Sequence, residues 1–247
     1  MHVARPLVLA LLLLSVGCRT VWVEGDLTAE TIAIDHEVAT DEAIDQLIAP
    51  YRTDLDAEMN VVIARAARDL TKARPEGRLG NLMTRAMASV AASETGLDID
   101  VAIMNFGGIR IPQLAEGPVT VGRVYELMPF DNFLVVQHIP GAVLDSVLQS
   151  IAKRGGWPVR GASFVIRDGR ATDIRIDGAP LDPDQTYAVA LSDYLANGGD
   201  RLDLLRRFHQ VRTPLFLRDA FIRYFRAETA AGRPLDAELT GSIRHAD

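Results

Sequence analysis

The sequence predicts an α+β (mixed α/β) fold, a single domain with a mixed sheet flanked by helices. Three observations carry this expectation. Short apolar runs of strand length alternate with stretches of helical periodicity. Two Asp-Gly pairs in the second half mark tight turns. No segment recurs at a fixed period, which argues against a solenoid or propeller.

Taken in order, residues 1–17 read as an export signal: Arg5 is the only charge, LVLALLLL is too short to span a bilayer, and small residues precede Cys18. This arrangement resembles a bacterial lipoprotein signal, in which the cysteine becomes the lipidated N-terminus. Ser15 stands where that pattern usually has an aliphatic residue. The implied location is the bacterial cell envelope, on the periplasmic or extracellular face, with a membrane tether through acyl chains. Residues 18–40 read as a tether. From 41 to 58, Ile44, Leu47, Ile48, Tyr51 and Leu55 recur at helical spacing, and Pro50 predicts a kink or two pieces. The folded domain is expected over 59–247.

MNVVIARAA reads as a strand. LGNLMTRAMASVAAS is the clearest helix, with Leu82, Met83, Ala86, Met87 and Val90 on one face and Gly96 to end it. DVAIM is a buried strand. Gly117–Pro118 signals a turn, VTVGRVYELM a strand edge and a short helix, FLVVQHI a strand, and GAVLDSVLQSIAK a second amphipathic helix. SFVIR and ATDIRID form a hairpin around Asp168–Gly169, with an exit turn at Asp177–Gly178. TYAVAL is a buried strand that leads into SDYLANGGDRL. PLFLRDAFIRYFRAE reads as the last helix and GSIR as a closing strand.

The composition excludes several classes. Of 247 residues, 48% are hydrophobic and 24% charged, which is globular. A net charge of −7 argues against nucleic acid, which needs a basic patch. With Cys18 the only cysteine, no disulfide can form within the chain. GWPVRGAS (156–163) has phosphate-loop glycine spacing but lacks the lysine, and GxGxxG, GxSxG and HExxH do not occur. His36, His138, His209 and His245 are dispersed, with no metal-ligand spacing.

A constellation remains. Two apolar strands each end in a glycine pair with polar neighbours: Asn105, Gly107, Gly108 and Arg110 in NFGGIR, and Asn197, Gly198, Gly199 and Asp200 in ANGGD. PFDN (129–132) lies between them. Glycines at strand ends allow a ligand close to the backbone. Arg110 suits a phosphate or carboxylate, Asp200 a ribose hydroxyl, and Phe130 and Tyr194 offer flat faces to a base. The plainer reading of the same residues is turn glycines, core aromatics and a salt bridge.

The order and wording of LGNLMTRA, NFGGIR, VYELMPFDN and GAPLDPDQTYAVALSDYLANGGD resemble the C-terminal, substrate-binding domain of the 5'-nucleotidases, over about residues 60–245. The resemblance implies that domain's fold and a nucleotide or nucleoside ligand. It implies Asn105 and Arg110 from the N-x-G-G-x-R turn, with Gly107 and Gly108 between them. Phe130 and Tyr194 become the stacking pair, with Asn132 beside Phe130. Asp200 becomes the ribose-binding aspartate after Gly198 and Gly199. A further phosphate arginine is implied before the GN motif, where Arg74 and Arg78 both qualify. Asp131, Arg85 and Arg201 depart from the family's Gly, Asp and Gly.

The family's metal-binding motifs are absent from this sequence. Without metal-activated water the chain alone is expected to be inactive as a phosphatase, with no cofactor of its own and divalent metals only in a partner. Three readings stay open: the nucleotide-binding half of a split 5'-nucleotidase with a separate metallophosphatase chain, a stand-alone nucleoside or nucleotide binder at the cell surface, and a decayed interaction module.

Overall fold

A computed structural model describes residues 38–246. The export signal, Cys18, His36 and most of the tether lie outside the described residues. Residues 48–247 form one compact unit.

The first described helix, α1 (Glu42–Met59), starts where Asp41 Oδ1 accepts from the N–H groups of Ala43 and Ile44 at 2.9 and 3.2 Å. The sequence predicted a kink or two pieces at Pro50, but the helix is one continuous element. Pro50 removes the donor to the carbonyl of Gln46, an exposed residue where water can replace it. No residue of α1 is buried.

The core is a five-stranded mixed sheet, in the order β12 (Gln210–Phe216), β6 (Phe133–Pro140), β11 (Thr186–Ser192), β3 (Val101–Ile103) and β7 (Val159–Arg160). Only β11 and β3 run parallel. Side chains alternate across a strand, so the same three central strands feed two cores. Ala102, Leu134, Val136, Ala188 and Ala190 pack beneath α2 (Arg78–Thr95) and α6 (Leu217–Ala230). Val101, Ile103, Val135, Val189 and Leu191 pack against α4 (Gly141–Lys153) and a second sheet. That sheet runs β10 (Ala179–Pro180), β9 (Arg170–Ile176), β8 (Ala162–Arg167), β13 (Ile243–His245). Burial on both faces explains why these strands read as continuous apolar runs.

The five residues predicted for the inner face of α2 are all buried, and Gly96 closes the helix in the left-handed conformation (φ 70°). The hairpin turns at Asp168–Gly169, both with positive φ. Two short antiparallel pairs complete the unit: β1 (Val62–Ala66) with β5 (Gly117–Thr120), and β2 (Leu70–Thr71) with β4 (Gln113–Leu114). A short helix, α3 (Val121–Leu127), follows β5.

Two expectations need correction. Gly117–Pro118 is not a turn but the opening of β5, paired with Ala66 and Arg65. A proline is tolerated there because a two-stranded ribbon has a face that needs no donor. Residues 214–216 belong to β12 rather than to the last helix. Pro214 falls within an irregular stretch of the β12–β6 pairing, and Phe216 is the extended N-cap of α6.

Glu76 pins the C-terminal segment. Its Oε1 accepts from Asn81 Nδ2 (2.6 Å) and from Thr240 N–H and Oγ1 (both 2.8 Å), and its Oε2 from the Gly241 N–H (2.8 Å). Burial alone would raise this carboxyl, but these donors outweigh it and hold the pKa below its ordinary value.

Candidate functional site

Strand pairing brings the three motifs together. β3 and β11 are parallel neighbours, so NFGGIR and SDYLANGGD leave the sheet at the same end. β6 is antiparallel to β11, with Leu134 opposite Ser192, so PFDN enters the sheet where β11 leaves it.

A cavity of about 350 Å³ lies at this junction. Asn105, Gly107, Gly108, Arg110, Phe130, Asn132, Tyr194 and Asp200 all line it. Gly198 and Gly199 do not; they line a second cavity of about 440 Å³, which shares Asn132 and Tyr194 with the first. Phe130 and Tyr194 are 37% and 44% exposed, so neither ring is part of the core. Two part-exposed rings on one cavity offer apolar faces that a flat ligand can cover.

Polar contacts tie the loops to each other. Asn105 Nδ2 donates to Asp200 Oδ2 at 2.8 Å, across 95 positions of sequence. The Tyr194 hydroxyl lies 3.3 Å from Asp200 Oδ1 and accepts from the Asp200 N–H at 3.2 Å. Asp200 has left-handed backbone angles (φ 53°), rare for a residue with a side chain. Its carbonyl accepts from Arg154 Nη2 at 2.6 Å, and Arg154 also donates to the Ser150 carbonyl. Arg154 therefore clamps the turn that presents the carboxylate.

The glycines differ in what demands them. A Cβ on Gly199 would meet the Tyr194 ring within 2.6 Å, and one on Gly108 would meet Asn105 Oδ1 at 2.7 Å. Both are required by the protein's own packing. A Cβ on Gly107 would find nothing nearer than Asn105 Nδ2 at 3.9 Å, and no positive φ requires glycine there. Gly107 is exposed and lines the cavity, so packing leaves room for a side chain there.

One cation, Arg110, lines the cavity, and Lys72 and Arg74 lie near Arg110 without lining it. Arg110 Nη1 donates to the Gly107 carbonyl at 3.2 Å, and its guanidinium carbon lies 5.7 Å from the Phe130 ring centre. Lys72 Nζ and the Arg74 guanidinium each lie 4.0 Å from the Phe106 ring centre, and Lys72 also donates to the Ile109 carbonyl. Burial, then Arg110 and Arg74, push the Lys72 pKa below its ordinary value. Among the described residues none of these three cations is paired with a carboxylate. Arg78, the other candidate phosphate arginine, is engaged elsewhere: Nη1 bonds Glu238 Oε2 at 2.5 Å and the Ala237 carbonyl at 2.9 Å. Sequence reasoning missed Lys72, Arg154 and the lining residues Met128, Ser192 and Leu217. Lys72 and Arg154 stand beside readable motifs, but nothing in the sequence aims them at the site.

The departures from the family pattern fall off the cavity lining. Asp131 is exposed and bonds Arg218 Nη2 at 3.0 Å, and Arg201 is exposed. Arg85 is structural, donating to the Tyr224 hydroxyl at 3.0 Å and to the Asp236 carbonyl.

The donor set does not fit a divalent metal. The cavity offers one carboxylate, Asp200, already engaged by Asn105 and Tyr194, and no imidazole. Among the described residues no three His, Cys, Asp or Glu side chains gather where an ion could be held. No helix among them is long and apolar enough to cross a membrane.

Comparison with known proteins agrees with the fold. The family model for the 5'-nucleotidase C-terminal domain matches residues 57–207, more than half of the chain. Protein UshA of Escherichia coli strain K12 is 29% identical over 194 residues, covering 75% of this chain and 34% of that protein. Cell wall protein Lmo0130 of Listeria monocytogenes is 30% identical over 182 residues, covering 67% and 23%. Among solved structures, the 5'-nucleotidase precursor from Thermus thermophilus superposes with a TM-score of 0.71 at 30% identity, covering 82% of this chain and 43% of that one. The chain thus spans about a third or less of these curated relatives. With the fold, the junction of the three motifs and the matched family model in agreement, the chain belongs to the 5'-nucleotidase C-terminal domain family.

Proposed function

We propose that this chain holds a nucleotide or nucleoside in the cavity between NFGGIR, PFDN and ANGGD, as the substrate-binding half of a split 5'-nucleotidase. The observation that carries the reading is the exposure of Phe130 and Tyr194 in one cavity, beside a glycine that packing does not require. The base stacks on the two rings. The ribose hydroxyls donate to Asp200, whose carboxylate keeps free lone pairs beside its bonds to Asn105 and Tyr194. Phosphate lies toward Arg110, with Arg74 and Lys72 near it, none of them paired with a carboxylate among the described residues. Hydrolysis is assigned to a separate metallophosphatase chain, since the cavity cannot assemble a metal site of its own. The chain works in the bacterial cell envelope, tethered through Cys18.

Calorimetric titration with AMP, UMP and adenosine tests the binding. Each of Phe130→Ala and Tyr194→Ala should weaken it about tenfold, because stacking contributes about 1–3 kcal/mol per base. Unchanged affinity in both variants, or no heat at millimolar ligand, refutes the site. The split-enzyme role predicts metal-dependent phosphate release from AMP that is greater with this chain and a metallophosphatase mixed than with either alone. Binding without that gain supports a stand-alone binder instead.

A further inference from the structure

Arg201 has a backbone unusual for its residue type. Among the described residues, the non-glycine positions with positive φ are Asp168, Asp173, Asp177, Asp200 and Arg201, so Arg201 (φ 62°) is the one that is not an aspartate. Aspartate reaches the left-handed region with help from its own short polar side chain; arginine has no such help. Asp200 (φ 53°, ψ 33°) comes directly before it, so two residues with side chains take left-handed angles in succession. Such a turn persists only where its surroundings hold it. The hold comes from Arg154. Its Nη2 donates to the Asp200 carbonyl at 2.6 Å, and its Nη1 donates at 2.9 Å to the carbonyl of Ser150 in α4, a helix anchored in the second core. Its guanidinium carbon lies 5.4 Å from the ring centre of the buried Trp157. The Asp200 carbonyl belongs to the planar peptide that joins Asp200 to Arg201. Gripping it therefore fixes ψ of the first residue and φ of the second together.

We propose that Arg154 is a positioning residue for ribose recognition, and that its clamp offsets the strain of carrying arginine rather than glycine at 201. This rests on the reading above, in which the ribose hydroxyls donate to Asp200. Asp200 lines the first cavity, whereas Arg154 and Arg201 do not, so neither arginine needs to touch the ligand. The Asp200 side chain is tied to Asn105 and Tyr194, and its backbone is tied to α4 through Arg154. If the backbone tie is lost, the Asp200–Arg201 peptide is free to rotate toward angles that arginine prefers. The carboxylate then leaves the place where the hydroxyls meet it. A glycine at 201 adopts the same φ without strain, so the turn would stay in place without the clamp.

Titration of adenosine and 2′,3′-dideoxyadenosine into the full chain tests the assignment, because only adenosine carries the ribose hydroxyls. The wild type should bind adenosine about tenfold tighter, since hydrogen bonds to a carboxylate are among the strong ones. Arg154→Met keeps the aliphatic stem and loses both carbonyl bonds. It should weaken adenosine about fivefold and leave dideoxyadenosine unchanged. In an Arg201→Gly background the same change should cost adenosine less than about twofold. Should Arg154→Met fold poorly, Arg154→Lys, which lacks the fork that spans two carbonyls, should show the same adenosine-selective loss at smaller size. Equal losses for the two ligands, or no loss for adenosine, overturn the positioning role. A loss that persists undiminished with Gly at 201 overturns the link to the strained turn. If binding still depends on Phe130 and Tyr194 in those cases, the base site itself stands. Absence of binding by both ligands to the wild type overturns that reading as well.

Discussion

Replacing Gly107 by alanine separates a glycine kept for a ligand from one kept for the fold. A Cβ at 107 would lie 3.9 Å from its nearest neighbour, an ordinary contact, and the backbone there does not need glycine. The folded state therefore gains no clash, while the unfolded chain loses freedom. The expected change is between zero and a stabilisation of about 1 kcal/mol. In a unit of this size that raises Tm by no more than about 4 °C. Gly107 lines the cavity where the nucleoside is proposed to lie, so a methyl there is expected to crowd the ligand. Displacing the ligand from one of its two rings should cost about 1.4 kcal/mol or more, a tenfold rise in the Kd for AMP. Gly199→Ala is the contrast: its Cβ would fall within 2.6 Å of the Tyr194 ring, so stability and binding should drop together, stability by about 1–3 kcal/mol. Thermal melts and calorimetry on both variants supply the two readouts. A Gly107→Ala protein that binds AMP like wild type, or that is destabilised as much as Gly199→Ala, refutes the reasoning.

Two further predictions concern charge. Glu76→Gln should destabilise the unit by about 2 kcal/mol at pH 7, since it weakens several hydrogen bonds to a carboxylate. The folded pKa of Glu76 is lowered, so its contribution is complete above the ordinary value of 4.5 and disappears as pH falls through the folded value. The Tm difference between wild type and Glu76→Gln should therefore shrink on acidification below about pH 4.5; a difference that stays constant to pH 2 contradicts the assignment. Arg74→Ala should weaken AMP several-fold and leave adenosine nearly unchanged, whereas Arg78→Ala, which loses only the Glu238 and Ala237 bonds, should spare both ligands. Equal losses for AMP and adenosine in Arg74→Ala contradict a phosphate role.

Much of the fold was legible because its signals are local. α2 and α4 show long helical periodicity, and the Asp168–Gly169 turn identifies its hairpin. β12 was not legible: Pro214 and the alternation of polar residues conceal an edge strand whose pairing is itself irregular. The two-residue strands β2, β4 and β7 are too short to carry a pattern. In the site, the glycine pairs and the outward aromatics could be read from their motifs. The Asn105–Asp200 bond could not, because it depends on β3 and β11 being neighbours. Neither could the pairing of Arg78 with Glu238, which turns on where the C-terminal segment reaches back.

The central claim is that one base lies against Phe130 and Tyr194 together. Nuclear Overhauser spectroscopy on the complex with AMP measures this directly. The account predicts contacts from the base protons H2 and H8 to the ring protons of both Phe130 and Tyr194. Contacts to neither ring, with AMP demonstrably bound, would contradict it.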